Sequence, residues 1–289
     1  MKSPAAPKRP GLWLRLLRRF LQWTLTVRRS RAPAGSVRLI EAPSPSGSLS
    51  CRLYTPADAP SSAPVLVFFH GGGFLTCGLD THDELCRELA SAFGGRVLAV
   101  DYTLAPEATF PAQVEEAIAV CTWAATDTEV LGPRSLLGVA GDSSGAYLAV
   151  RAALRVNEQQ SGSIGLQVLL YPLIHLHDRL WAKPTLRNFR FIGRIAAWVI
   201  RRGGRIALPS LLDEGLRHAP PTVLVSGGPD PTTPDVLALA QMLRRASVPV
   251  VEIRLRWLPH GGFNLTHVWR AAAKALSEAG QAAKALAVR

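Results

Sequence analysis

The spacing of apolar and polar residues changes period along this chain. Between Gly11 and Val27 it repeats at three and four residues. Arg15, Arg18, Arg19 and Gln22 gather on one face and Trp13, Leu16, Leu17, Phe20, Leu21 and Trp23 fill most of the rest, which predicts an amphipathic helix with an apolar side to bury. From Val37 short β-rich runs take over: Val37–Glu41, Leu49–Tyr54, Val65–Phe69, Arg96–Val100, Leu136–Ala140, Leu166–Leu170, Thr222–Ser226 and Val250–Leu258. Helical periods alternate with them at Asp83–Phe93, Ala112–Thr126, Ala146–Asn157, Pro234–Ala246 and from Asn264 to the C-terminus. Such alternation predicts an α/β fold, a mostly parallel sheet of about eight strands covered by helices on both faces. The first two strands, joined through Pro43–Ser48, predict an antiparallel edge hairpin.

His175–Ala219 breaks the alternation with a basic, Trp-containing stretch that reads as helical around Leu186–Arg201. It is too long for a connection, so it is expected to be an insertion over the C-terminal edge of the sheet. The chain thus divides into an arm, residues 1–36, and one body, residues 37–289, with a cap around 175–219.

A net charge of +12 invites a nucleic-acid reading, and its distribution argues against one. Ten basic residues and no acidic one lie between Met1 and Ile40, leaving 23 basic and 21 acidic residues in the rest of the chain. The excess belongs to the arm. Arg28-Arg29-Ser30-Arg31 is accompanied by no nucleic-acid-binding module. Cys51, Cys77, Cys86 and Cys121 have no paired spacing and read as reduced thiols of a cytoplasmic protein. No apolar run is long enough for a membrane span, and no signal-peptide pattern is present.

Two motifs carry chemistry. Gly141-Asp142-Ser143-Ser144-Gly145 joins an apolar strand to a helix, and small flanking residues let the central serine take a strained conformation that projects its Oγ above the sheet. Ser143 is therefore the candidate nucleophile, and the Ser144 amide is expected to face an oxyanion. His70-Gly71-Gly72-Gly73-Phe74 follows another strand. Its glycines let the backbone approach a substrate and aim the amides of Gly71, Gly72 and Gly73 at a developing negative oxygen. No Lys-Ser/Thr follows as it would in a phosphate-binding P-loop.

These runs, with Asp101-Tyr102-Thr103-Leu104-Ala105-Pro106-Glu107 between them, resemble in order the HGGG, DYRLAPE and GDSAG motifs of the hormone-sensitive-lipase-like family of α/β-hydrolases. The similarity runs from about Val65 to the C-terminus. It implies the α/β-hydrolase fold with a helical cap and a serine carboxylesterase acting on small to medium acyl esters without metal or organic cofactor. It also places an acid at Asp230, in Pro229-Asp230-Pro231, and a base at His260, in Pro259-His260-Gly261-Gly262-Phe263. Asp235 is the competing acid, though its place at a helix start suits capping. Amidase or deacetylase chemistry would use the same groups, and a non-catalytic binding protein of this fold is the reading from another class.

The chain departs from the family at several points. Ala146-Tyr147 replaces the usual Gly-Asn after the elbow, Thr103 replaces Arg, Thr232-Thr233-Pro234-Asp235 follows Asp230-Pro231, and an extra glycine follows His260. The cap is short, which implies an open acyl pocket lined by Phe74, Tyr147, Trp198 and Trp13 or Phe20. For residues 11–31 three readings remain open: part of the cap, a helix on an anionic membrane surface, or a processed targeting segment. The oligomeric state is open, with a dimer among the options. His175-x-His177-Asp178 lacks further ligands and reads as a polar loop rather than a metal site.

Overall fold

The structure, a computed structural model, describes residues 9–26, 35–108, 110–175 and 209–288. The helix expected at Leu186–Arg201, most of the cap, Trp198, His177 and Asp178 lie outside the described residues.

Eight strands form one sheet: β1 Gly35–Ser44, β2 Gly47–Pro56, β3 Val65–Phe69, β4 Arg96–Val100, β5 Leu137–Asp142, β6 Leu166–Leu170, β7 Thr222–Gly227 and β8 Val250–Leu255. Their order is β1-β2-β4-β3-β5-β6-β7-β8, with β1 and β2 antiparallel and the rest parallel from β4 to β8. The edge hairpin is as the pattern required, with Gly47 at φ 124° in its tight turn.

Helices α2 Asp83–Phe93 and α6 Arg270–Ala287 cover one face. The other carries α3 Ala112–Thr126, α4 Ser144–Gln159 and α5 Thr233–Arg245. Every residue of β3 is buried, and its side chains alternate between the two layers. Val65, Val67 and Phe69 pack toward α3 and α4, and Leu66 and Phe68 toward α2 and α6. The expected final helix is divided, a 3₁₀ turn at Gly262–Leu265 preceding α6. In what is described of the cap, two further 3₁₀ turns, Leu211–Asp213 and Leu216–His218, lie against the α3 and α4 side.

The arm helix α1, Leu12–Leu25, docks with only part of its apolar surface inward. Among its residues only Leu14 is buried, while Leu12, Leu16, Phe20 and Trp23 are exposed, from 55% at Leu16 to 71% at Trp23. The side that meets the body carries Leu14, the half-buried Leu17, Leu21 and Leu25, and one basic residue, Arg18, while Arg15, Arg19 and Gln22 are exposed. The Arg18 guanidinium donates to the carbonyls of Leu75 (2.7 Å) and Ala105 (2.9 Å) and clamps Glu107 through both carboxylate oxygens, at 2.5 and 2.9 Å. The Gln22 amide donates to Asp80. Carbonyls and a carboxylate facing α1 demand donors, and a planar guanidinium satisfies several at once.

Candidate active site

In a parallel sheet the C-terminal ends of the strands share one edge, and the loops beyond them converge there. His70–Phe74 follow β3, Ser143 follows β5, Asp230 follows β7 and His260 follows β8.

Ser143 lies between β5 and α4 at φ 52°, ψ −117°, a conformation that costs a non-glycine residue on the order of 1–3 kcal/mol. Local sequence makes that turn possible. A Cβ on Gly145 would lie 1.9 Å from the Phe69 carbonyl oxygen, and one on Gly141 would lie 2.5 Å from the Gly145 carbonyl carbon. The turn is then held by the Ser143 amide donating to Leu170 O and by Ser143 O accepting from Leu173 N.

Ser143 Oγ lies 2.7 Å from His260 Nε2, and His260 Nδ1 lies 2.9 Å from Asp230 Oδ2. An ionised Asp230 accepts only, so Nδ1 carries the imidazole proton and Nε2 accepts from the serine hydroxyl. The second Asp230 oxygen accepts from the Thr232 amide (2.8 Å) and hydroxyl (2.7 Å), which fixes the plane of the carboxylate. Gly227 and Gly228 admit this loop: a Cβ on either would lie 2.1 Å from a carbonyl oxygen of Leu258 or Arg256. Burial alone would depress His260, but the Asp230 charge and hydrogen bond outweigh it and hold the imidazole above its ordinary range. Tyr171, with its ring centroid 5.1 Å from that of His260, backs the imidazole and stacks on Phe263.

Asp235 is apart from this line. It sits in the first turn of α5, with Oδ2 3.4 Å from His175 Nε2.

The glycine loop differs from expectation in which amides it leaves available. The Gly71 amide donates to Asp142 Oδ1 at 2.7 Å, and the Gly73 amide donates to Ser144 Oγ at 2.9 Å. Among the described residues the amides of Gly72 and Ser144 meet no acceptor. Two of the four expected oxyanion donors, Gly71 and Gly73, are therefore occupied, because polar side chains on the elbow reach across to them. Gly72 itself, at φ 114°, packs so that a Cβ would lie 2.2 Å from Thr76 O.

Beneath the loop lies a buried polar cluster that motif reading missed. The Asp142 carboxylate faces His82 Nε2 at 3.1 Å, His82 Nδ1 meets Thr81 Oγ1 at 2.9 Å, and His70 stacks on Tyr102. Burial works to raise Asp142, and His82, the Gly71 amide and His70 outweigh it, so the carboxyl is held below its usual range. The signal for Asp142 was inside the elbow motif, whereas nothing adjacent in sequence marked His82.

Phe74 and Tyr147, expected on an open pocket wall, are buried and form an aromatic group with Phe110, centroids 6.1–6.5 Å apart. Phe74 takes φ 62°, and the Tyr147 hydroxyl donates to Pro209 O, so the bulky replacement in the elbow is absorbed by packing. Thr103 bonds Glu116 through its amide and hydroxyl. Phe20 lies on the outward face of α1. A cavity of about 420 Å³ beneath α1, lined by Arg18, Asp80, Asp101 and Glu107, excludes Ser143 and His260. The four cysteines are unbridged.

This sheet order, with a strained serine between β5 and α4 and a histidine beyond β8, defines a hydrolase of the α/β class. The family described as having the alpha/beta hydrolase fold matches residues 66–264, and the chain belongs to it. The chain is 33% identical over 251 residues to the esterase LipI of Mycobacterium tuberculosis, covering 80% of this chain and 76% of that protein. It is 37% identical over 150 residues to an acetyl esterase of Salmonella schwarzengrund, covering 51% of this chain and 46% of the relative. Among solved structures it is similar to a hyperthermophilic esterase from the archaeon Pyrobaculum calidifontis, with a TM-score of 0.87, 28% identity and 96% and 94% of the two chains covered. It is also similar to the thermostable carboxylesterase EstE1 from a metagenomic library, with a TM-score of 0.83, 26% identity and 94% and 97% covered. The resemblance drawn from the three motifs is borne out.

Proposed function

We propose that the chain hydrolyses small carboxylic esters by acyl transfer through Ser143. The observation that carries the reading is the unbroken line from Ser143 Oγ through His260 to Asp230, at 2.7 and 2.9 Å. His260 takes the serine proton as Oγ attacks the ester carbonyl and returns it to the leaving alcohol, and Asp230 holds the tautomer and stabilises the imidazolium. The amides of Gly72 and Ser144 receive the oxyanion. Water, deprotonated by His260, then releases the acid from the acyl-enzyme. Esterase relatives and esterase structures support the reaction class; small acyl size rests on the shortness of the cap. The test is hydrolysis of p-nitrophenyl esters of rising chain length. Highest kcat/KM at acetate to butyrate, lost in Ser143→Ala, is expected, and a maximum at long chains would refute the size assignment.

The arm adds a partner to this reading. Leu12, Leu16, Phe20 and Trp23 present an outward apolar stripe flanked by exposed Arg15 and Arg19, which suits the surface of an anionic bilayer. No helix among the described residues is long and apolar enough to cross a membrane. The full chain should float with phosphatidylglycerol vesicles and not with phosphatidylcholine ones, and Leu16→Glu should abolish flotation while sparing hydrolysis of a soluble ester. Equal recovery with both vesicles would refute the contact.

A further inference from the structure

We infer that the Ser144 hydroxyl sets the strength of the oxyanion hole by holding the Gly73 amide out of it; this inference rests on the acyl-transfer reading above. The elbow here reads Gly-Asp-Ser-Ser-Gly where the resembling family has alanine at the fourth position. The extra oxygen of Ser144 is fully buried and accepts from Gly73 N at 2.9 Å, while the Tyr102 hydroxyl donates to His70 O at 2.8 Å. Separate hydrogen bonds thus hold both ends of the glycine loop, Tyr102 at His70 and Ser144 at Gly73, while Asp142 holds Gly71 between them.

Of the three glycine amides, Gly72's alone meets no acceptor among the described residues, and it is joined by the backbone amide of Ser144. The hole at rest thus offers two donors, and Gly73 would make a third. An oxyanion that recruits Gly73 must first displace the Ser144 oxygen, exchanging one hydrogen bond for another. Ser144 is in this sense a positioning residue acting through Gly73, and its hydroxyl trades transition-state binding for a loop fixed before substrate arrives.

Removing the hydroxyl releases the third donor. Ser144→Ala should raise kcat by about two- to tenfold, the worth of one displaced neutral hydrogen bond, with the full effect of an oxyanion donor, on the order of 100-fold, as the ceiling. KM should stay within about twofold, because the gain appears only as negative charge develops. Phenylboronic acid, which forms a tetrahedral adduct on Ser143, should bind the variant more tightly by the same factor as kcat/KM. Ser144→Gly, which also lacks the oxygen, should behave alike. In wild-type protein labelled with ¹⁵N-glycine, the boronate should shift the Gly72 amide resonance and leave that of Gly73 nearly in place, a measurement that needs no variant to fold. A Ser144→Ala enzyme that melts normally and is no faster than wild type overturns the inference, as does a Gly73 shift equal to that of Gly72. An active Ser143→Ala enzyme would instead overturn the acyl-transfer reading itself.

Discussion

Replacing Asp230 with asparagine distinguishes a working acid from a bystander more sharply than its size suggests. Two donors from Thr232, its amide and its hydroxyl, aim at Asp230 Oδ1, while Oδ2 faces His260 Nδ1. In Asp230→Asn those donors require the amide oxygen on their side, so the NH₂ group is turned toward the imidazole. A donor facing Nδ1 makes Nδ1 an acceptor and moves the proton to Nε2, where it opposes the Ser143 hydroxyl. The base is then in the wrong tautomer, a change worth about 10⁴ in kcat where the same geometry has been perturbed. At about 1.4 kcal/mol per tenfold, that is roughly 5.5 kcal/mol of barrier. The pH profile should move too. His260 acts when neutral, so activity rises with pH through its pKa, which burial lowers and Asp230 more than restores. The acid limb of wild-type kcat/KM should lie above the ordinary imidazole value, and that of the residual Asp230→Asn activity below the wild-type position. Asp235→Asn, altering a carboxylate that meets His175, should leave kcat within about twofold. Steady-state hydrolysis of p-nitrophenyl acetate from pH 5 to 9 reads both quantities. Asp230→Asn retaining more than a tenth of wild-type kcat, or Asp235→Asn falling as far, would refute the reasoning.

Two further perturbations probe the buried cluster. His82→Ala removes the imidazole whose Nε2 lies 3.1 Å from the buried Asp142 carboxylate, and breaking such a pair costs about 3–5 kcal/mol. In a chain of this size that is a Tm fall of about 6–20 °C, and a fall below 2 °C by calorimetry would show that the pair is not holding the elbow. Burial, together with the nearby His82, pushes His70 down to about 3 in the folded protein, while in the unfolded chain it titrates at its ordinary 6.5. Between those values the unfolded chain binds more protons, so the contribution of His70 to stability is present above pH 6.5 and is lost as pH falls toward 3. The drop in Tm from pH 7.5 to pH 5 should shrink in His70→Gln, and an unchanged drop would contradict the burial of a neutral imidazole.

The strands and their chemistry were legible in sequence because period and order are local. β3, β5, β7 and β8 each precede a short run bearing one reacting group, and the sheet brings together what lies 117 residues apart between Ser143 and His260. What could not be read was which partner each polar group would choose. Three successive glycines announce available amides, but whether Gly71 meets an oxyanion or Asp142 depends on where the Asp142 side chain points after β5 folds. The apolar majority of α1 argued for burying that side; only its Leu14 edge turns inward, beside Arg18, whose acceptors lie 57 to 89 residues away. Phe74 and Tyr147 looked like pocket wall because each adjoins a motif. Their burial with Phe110 follows from the backbone turn at Phe74 and from Pro209, neither visible as a pattern.

The central claim is that Ser143 becomes acylated. Treating the folded protein with a fluorophosphonate and mapping the adduct by peptide mass spectrometry tests it directly. The account predicts rapid, stoichiometric modification at Ser143, slowed by Asp230→Asn and absent in Ser143→Ala. Modification elsewhere, or none on folded wild-type protein, would contradict it.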